Sequence, residues 1–335
     1  MLPTLMPQSP SFTLIAPYAS QIPGGGPAQT ACLSKLAGRG SVQRVWDKRD
    51  AQSLLQPWQQ ALLQSLHVDA AGWASGPVSA LGAGLRDITG CWMHAEPIHF
   101  AAGLDRLTFV ALTDEAQVTG AEREALARTL LPQFPADGFT LHAAHDRWFI
   151  QAERNLQVQT SSPEAAASGE LPSMMPRGAD APRLRRLMTE LQMMLHEHPV
   201  NERRAARGLP AINALWLWGA GTLVSPQRRE LPAAYGAAPF LKGVYQLHEQ
   251  TVAPLPGDGA MLIGGAPCSS LAIDETSDLE ILESRWFAPL ISLLAAGRIA
   301  RLEIVLDEWR VQTHRADLRR FWRRSLPPAR WSDAS

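Results

Sequence analysis

Residues 195–221 read LHEHPVNERRAARGLPAINALWLWGAG. A helix arriving here stops at Pro199, because proline lacks the N–H that would continue the ladder and restricts the residue before it. A short helix follows and ends at Gly208, the residue type that most readily takes the left-handed conformation of a helix terminus. The unbroken apolar run Leu215–Trp218 predicts a buried strand, opening onto a tight exit at Gly219 and Gly221. A helix feeding a buried strand in this way is the unit of an α/β fold.

The same alternation extends in both directions. Upstream, Arg183–Glu197 is a helix with Leu184, Leu187, Met188 and Leu191 on one side. Downstream, Met261–Ile263 reads as a strand, Leu279–Ala296 as an amphipathic helix, Arg301–Leu306 as a strand and Asp317–Arg324 as a short basic helix. Near the N-terminus, Phe12–Ala16 predicts a strand, Ala31–Leu36 a helix and Leu54–Leu66 an amphipathic helix. Leu107–Leu112, Gly120–Leu131, Phe139–Ala143 and Arg147–Ala152 read strand, helix, strand, strand, which suits a small α+β lobe. Residues 160–182, rich in Ser, Pro, Ala and Gly, read as a long loop. The expected fold is therefore α/β, a mostly parallel sheet flanked by helices. Residues 1–91 and 196–335 form the two parts of that core, and 92–195 an inserted α+β lobe.

Composition sets the bounds. The chain has 335 residues, 46% hydrophobic and 19% charged, the make-up of a soluble globular protein. Lys+Arg 31 against Asp+Glu 32 leaves a net charge of −1, so no global field favours nucleic acid. Cys32, Cys91 and Cys268 lie far apart, which fits a reduced, cytoplasmic setting. No basic residue precedes Lys35, unlike a secretory leader, and no apolar run is long enough to span a bilayer. Neither a membrane nor a nucleic acid is an expected partner.

The densest set of metal-ligand residues is Cys91–His99, with His94, Glu96 and His99. Its H-x-E-P lacks the downstream P-C-x-x-C of a zinc deaminase, and Pro97 argues against a helical H-E-x-x-H arrangement. His142, His145, Asp146 and Arg147 read as a polar hairpin turn. His196 and His198 stand at a helix end, where histidine caps or lines a cleft. Gly219-Ala220-Gly221 lacks the spacing of a phosphate loop. Arg315, Arg319, Arg320, Arg323, Arg324 and Arg330 crowd the C-terminus beside Phe321, Trp322 and Trp331. They read as a solvated face or as a surface docked on the chain's own acidic residues.

His198–Asn201 (HPVN), Arg203 or Arg204, Gly208, Asn213, Trp216–Gly221, Tyr235-Gly236 and Leu241–Gly243 follow one another in a recognisable order. In that order the chain resembles the archaeal-type, cofactor-independent phosphoglycerate mutases of the alkaline-phosphatase superfamily. Arg147 on its strand and Ser162-Pro163-Glu164 resemble that family's inserted cap lobe. Leu33–Gly40 (LSKLAGRG) is similar to the helix after its first metal-binding strand. His94–Phe100 (HAEPIHF) and the WLWG segment are also similar to a proteobacterial family labelled RpfE-type regulatory protein.

The mutase resemblance implies an alkaline-phosphatase-like core with a cap, and candidate ligand-binding residues Arg147, His198, Asn201, Arg203, Arg204 and Asn213. It also implies two divalent metals that activate a nucleophile, and there the chain departs from the pattern. Ala16-Pro17-Tyr18 follows the first strand without a carboxylate, and Trp46–Asp50 is the nearest polar stretch to a nucleophile loop. Asp274, Glu275, Asp278 and Glu280 lack a histidine companion, and Asp307 is followed by Glu308-Trp309. The expectation is a phosphoglycerate-mutase-like protein without metal-dependent catalysis or cofactor, a ligand-binding or regulatory protein that binds a phosphorylated small molecule or a protein partner. The alternative is an active metal-dependent phosphotransferase or phosphohydrolase with relocated ligands. It would hold manganese or zinc at His94, Glu96, His99 or Asp307.

Overall fold

The apolar run at the N-terminus folds as strand β1 (Ser11–Ala16), with Leu14, Ile15 and Ala16 fully buried. The computed structural model describes residues 10–19, 30–45, 54–103, 107–134, 138–144, 146–259, 261 and 269–333. The following strands are β2 (Ser41–Arg44), β3 (Cys91–Ala102), β4 (Leu107–Ala111), β5 (Phe139–Ala144), β6 (Arg147–Ala152) and β7 (Ala214–Gly221). Four more complete the set: β8 (Ala233–Tyr235), β9 (Ser270–Ile273), β10 (Arg301–Leu306) and β11 (Trp309–His314). Two compact units result, one of residues 1–47, 57–70 and 227–335, the other of 48–56 and 71–226.

In the first unit the strand order is β2-β11-β10-β1-β9-β8. β1 lies between β10 and β9, parallel to both, and β8 is parallel to β9. β11 and β2 add an antiparallel edge. The helix Ala31–Arg39 packs Leu33, Leu36 and Ala37 into the core shared with Phe12, Leu14 and Ile304. The helix expected over Leu279–Ala296 runs that length, as Leu279–Leu282, a wider π turn at Glu283–Phe287, and Ala288–Ala296. Pro289 accounts for the wide turn, since it has no N–H for a carbonyl four residues back and its ring crowds that turn. Of the strand expected at Met261–Ile263, only Met261 is among the described residues. The basic helix expected at Asp317–Arg324 is instead a 3-10 turn, Arg315–Arg319, followed by non-helical chain.

The second unit is built on a wholly antiparallel sheet in which β3 pairs with β4 and β6 on one edge and β7 on the other. The compact units run across the expected boundaries at 91 and 196. The Trp216–Gly221 segment does not return to the parallel sheet, because β7 pairs antiparallel with β3 from Ala214 to Gly221. Residues 71–91 and 196–226 therefore belong to the same unit as 92–195. The loop expected at 160–182 also contains structure, the helices Pro163–Ser168 and Leu171–Met174. Ser162 accepts the Ala165 N–H at 3.4 Å and Pro163 fits the first helical turn, local signals that outweigh the loop-like composition.

Gly219 does not end β7 but forms a bulge inside it. Trp92 pairs with Gly221 and His94 with Trp218, so Met93 faces two residues, Gly219 and Ala220. Gly219 takes φ 67°, the left-handed conformation such a bulge needs. A Cβ at Gly219 would also lie 2.9 Å from the Cβ of Ser75, and one at Gly76 2.5 Å from the Trp92 carbonyl oxygen. The two glycines thus let the helix Ser75–Gly82 sit directly on the sheet. Replacing Gly219 by alanine is expected to cost about 2 kcal/mol of stability, read as a lower urea midpoint with an unchanged slope.

Candidate functional site

The bulge sets His94 among aromatic rings. Its imidazole stacks on Trp218 (centroids 4.2 Å apart, planes at 14°) and leans on Phe149 at 5.1 Å, one ring from each neighbouring strand. Its Nε2 hydrogen-bonds to the Ser75 hydroxyl at 2.9 Å. Burial, reinforced by the charge of Arg147 and opposed only by the Ser75 contact, pushes the imidazole pKa down to about 3. It is therefore neutral at physiological pH.

Two residues along each strand, on the same face, stand Glu96 on β3 and Arg147 on β6. Arg123, on the helix Gly120–Gln133, joins them. Burial lowers its pKa and Arg147 adds to the effect, while the charges of Glu96 and Asp146 oppose it. Arg123 thus lies within electrostatic reach of Glu96, Asp146 and Arg147, and Arg147 within that of His94. Sequence reading reached Arg147, Glu96 and Asp146 but missed Arg123 and Ser75, which lie on helices with no motif around them. His99 is held elsewhere, its Nδ1 2.8 Å from the carbonyl of Ala211. By strand alternation His99 falls on the opposite face of β3 from His94 and Glu96, and among the described residues no three such side chains are grouped to hold a metal. His142 meets Gln151 Oε1 at 3.0 Å, and His145 lies outside the described residues.

The segment that carried the family resemblance is occupied with its own backbone. His198 caps the helix Pro199–Ala205: its Nδ1 accepts the Val200 N–H at 3.2 Å, leaving Nε2–H to donate to Thr129 Oγ1 at 2.9 Å. Asn201 donates to the carbonyls of Leu195 and Ile212 and accepts the Ile212 N–H. Asn213 exchanges two hydrogen bonds with the backbone of Phe100, extending the β3–β7 ladder by a side chain. Arg204 is fully buried and donates to the carbonyls of Pro210 and Ala116 and to Glu122 at 3.0 Å. Burial pushes the Glu122 carboxyl up, but the Thr119 N–H and Arg204 outweigh it and hold it below the usual carboxylate range. Arg204 is thus not a phosphate contact, whereas Arg203 beside it is exposed.

Among the described residues, Asp274 and Asp307 are carboxylates just past the C-terminal ends of the parallel strands β9 and β10. Asp274, just past β9, accepts from Trp286 Nε1 at 2.7 Å, Arg285 at 3.1 Å and the Thr276 N–H at 3.0 Å. Those bonds overcome its burial and keep its pKa low. Asp307 sits in the two-residue turn between β10 and β11 with φ 48°. Among the described residues no three His, Cys, Asp or Glu side chains are placed to hold a metal ion. Trp46–Asp50 and Cys268 lie outside those residues.

No family model matches the chain. A 2,3-bisphosphoglycerate-independent phosphoglycerate mutase of Methanothrix thermoacetophila is 39% identical over 88 residues, 25% of this chain and 22% of that protein. One of Methanosarcina mazei is 25% identical over 231 residues, 65% of this chain and 56% of that protein. The relatives are phosphoglycerate mutases. This chain is phosphoglycerate-mutase-like, and its matches span from about a fifth to just over half of those proteins' lengths. Among solved structures, the cofactor-independent phosphoglycerate mutase of Thermoplasma acidophilum aligns over 98% of this chain and 95% of its own, with 15% identity and a TM-score of 0.43. The PH0037 protein of Pyrococcus horikoshii aligns over 91% and 87%, with 16% identity and a TM-score of 0.48.

Three outcomes follow for the mutase-like segment and the His94 site. Arg204→Ala is expected to destabilise the chain by about 3–5 kcal/mol, since it strands the Glu122 carboxylate. Arg203→Ala should change stability by no more than about 0.5 kcal/mol in the same urea titration. The His94 imidazole resonances are expected to stay at neutral-form shifts from pH 8 to pH 4. Because the unfolded chain binds a proton near pH 6.5 and the folded His94 only near 3, His94 costs stability as pH falls through that window. A His94 titrating near pH 6.5 would contradict the buried, stacked site.

Proposed function

We propose that this chain is a phosphoglycerate-mutase-like protein that binds a phosphorylated small molecule without metal-dependent turnover, and acts as a ligand-binding or regulatory protein. The observation that carries the reading is the engagement of the inherited polar residues: His198, Asn201, Arg204 and Asn213 are taken up by backbone and by Glu122, and Asp274 by Trp286 and Arg285. The ligand contact in this reading is the Arg123–Arg147 pair, which Glu96 neighbours electrostatically. Two guanidinium groups in partly desolvated surroundings suit a phosphate, which they bind by forked, charge-assisted hydrogen bonds. Glu96 and Asp146 then moderate the positive charge and orient the two forks. This reading assigns no step to a metal; its support is that no three His, Cys, Asp or Glu side chains among the described residues are grouped to hold one.

Isothermal titration with 3-phosphoglycerate, with and without manganese, tests this directly. Saturable binding is expected, independent of manganese and weakened about tenfold or more by Arg147→Gln or Arg123→Gln, with no interconversion or release of phosphate. Manganese- or zinc-dependent turnover lost on Asp307→Ala would replace this reading with the active phosphotransferase or phosphohydrolase one.

A further inference from the structure

The C-terminal arginine run carries an apolar knob at its middle. Phe321 and Trp322 are 80% and 69% exposed, the two most exposed aromatic rings among the described residues. They contact one another edge to face, centroids 5.3 Å apart and planes at 80°. Trp331, the third aromatic of this region, is instead buried against Trp309. From Leu318 to Ser332 the chain carries five arginines and no acidic residue. Asp317 pairs with Arg320 and His314, while Arg319 and Arg324 are exposed on either side of the knob.

This turn is mounted rather than frayed. The Leu326 N–H donates to the Ser34 carbonyl at 2.9 Å, and Arg39 donates to the Leu318 carbonyl at 2.8 Å. Arg320 and Arg323 reach the carbonyls of Arg39 and Gly40. The carbonyl of Arg324 lies where a side chain at residue 38 would be, so Gly38 is what lets the chain 324–326 close on the helix Ala31–Arg39. The fold thus holds two large aromatic rings in water, at the apex of a fixed turn flanked by cations.

We propose that this knob seats the protein peripherally on an anionic phospholipid surface. The two rings enter the headgroup–acyl boundary as one wedge, and Arg319 and Arg324 engage lipid phosphates. Interfacial seating of this kind combines amphipathic aromatic rings with basic residues at headgroup level. It needs no spanning segment, and no helix among the described residues is long and apolar enough to cross a membrane. The edge-to-face contact favours lipid over single-stranded nucleic acid, because it joins the rings into one wedge instead of leaving parallel platforms for successive bases.

Flotation of the whole chain with vesicles tests the proposal. The chain is expected to float with phosphatidylcholine vesicles containing phosphatidylglycerol, less so as salt rises, and not with phosphatidylcholine alone. The F321A/W322A variant should weaken partitioning about tenfold or more. The R319Q/R324Q variant should weaken it about fivefold per arginine removed. Both variants should melt at the parent temperature, since all four side chains are exposed. No flotation with anionic vesicles, or flotation unchanged in F321A/W322A, overturns the proposal. So does capture of a short single-stranded oligonucleotide, lost in the same variants, by a chain that ignores vesicles.

Discussion

β3 is paired along both edges, and the second unit is organised by the need to satisfy its backbone. On one side β7 takes residues 92–98; on the other β6 takes 91–94 and β4 takes 98–102. Pro97, which has no N–H to give, falls in the stretch that neither β6 nor β4 covers. A central strand tolerates proline where the ladder is already interrupted. The bulge opposite Met93 then turns Trp218 onto His94 and opens room for the helix Ser75–Gly82 against the sheet. The aromatic row Phe149–His94–Trp218 and the charges beside it follow from that register.

The same demand accounts for the mutase-like segment. Where a helix ends and a buried strand begins, several backbone groups lose their regular partners. Asn201 supplies one acceptor and two donated bonds across that gap, Asn213 continues the ladder by its amide, and Arg204 gathers two carbonyls and a carboxylate. Residues that look like a binding motif in sequence are thus explained by the geometry of a helix-to-strand junction. A resemblance concentrated in such a junction is informative about ancestry and fold, and much less so about chemistry.

Strands and helices with strong periodicity were legible. β1, β6, β10 and the helices Ala181–His196 and Leu279–Ala296 lie within a few residues of their predicted bounds, because burial on one face imposes a period that sequence records. The helix Ser75–Gly82 went unread because its SGPVSALG has no polar face, and β11 because Trp309–His314 follows β10 after only a two-residue turn. The candidate site was legible only in part. Arg147 announced itself by the family pattern, while Arg123 is one arginine in an ordinary surface helix until the fold brings it to Glu96 and Arg147.

Sequence by itself determined most of the element types, the mixed α/β class and the similarity to phosphoglycerate mutases. These rest on local periodicity, turn chemistry and order along the chain. Tertiary structure alone decided which sheet the Trp216–Gly221 strand joins, since an apolar run pairs equally well with parallel or antiparallel neighbours. It alone decided that Arg204 is a buried strut while Arg203 faces water. It also separated Trp331, which packs on Trp309, from Phe321 and Trp322, which touch each other and stay exposed. Neighbouring residues of one type differ in role through burial and partners, and these are set by contacts distant in the chain.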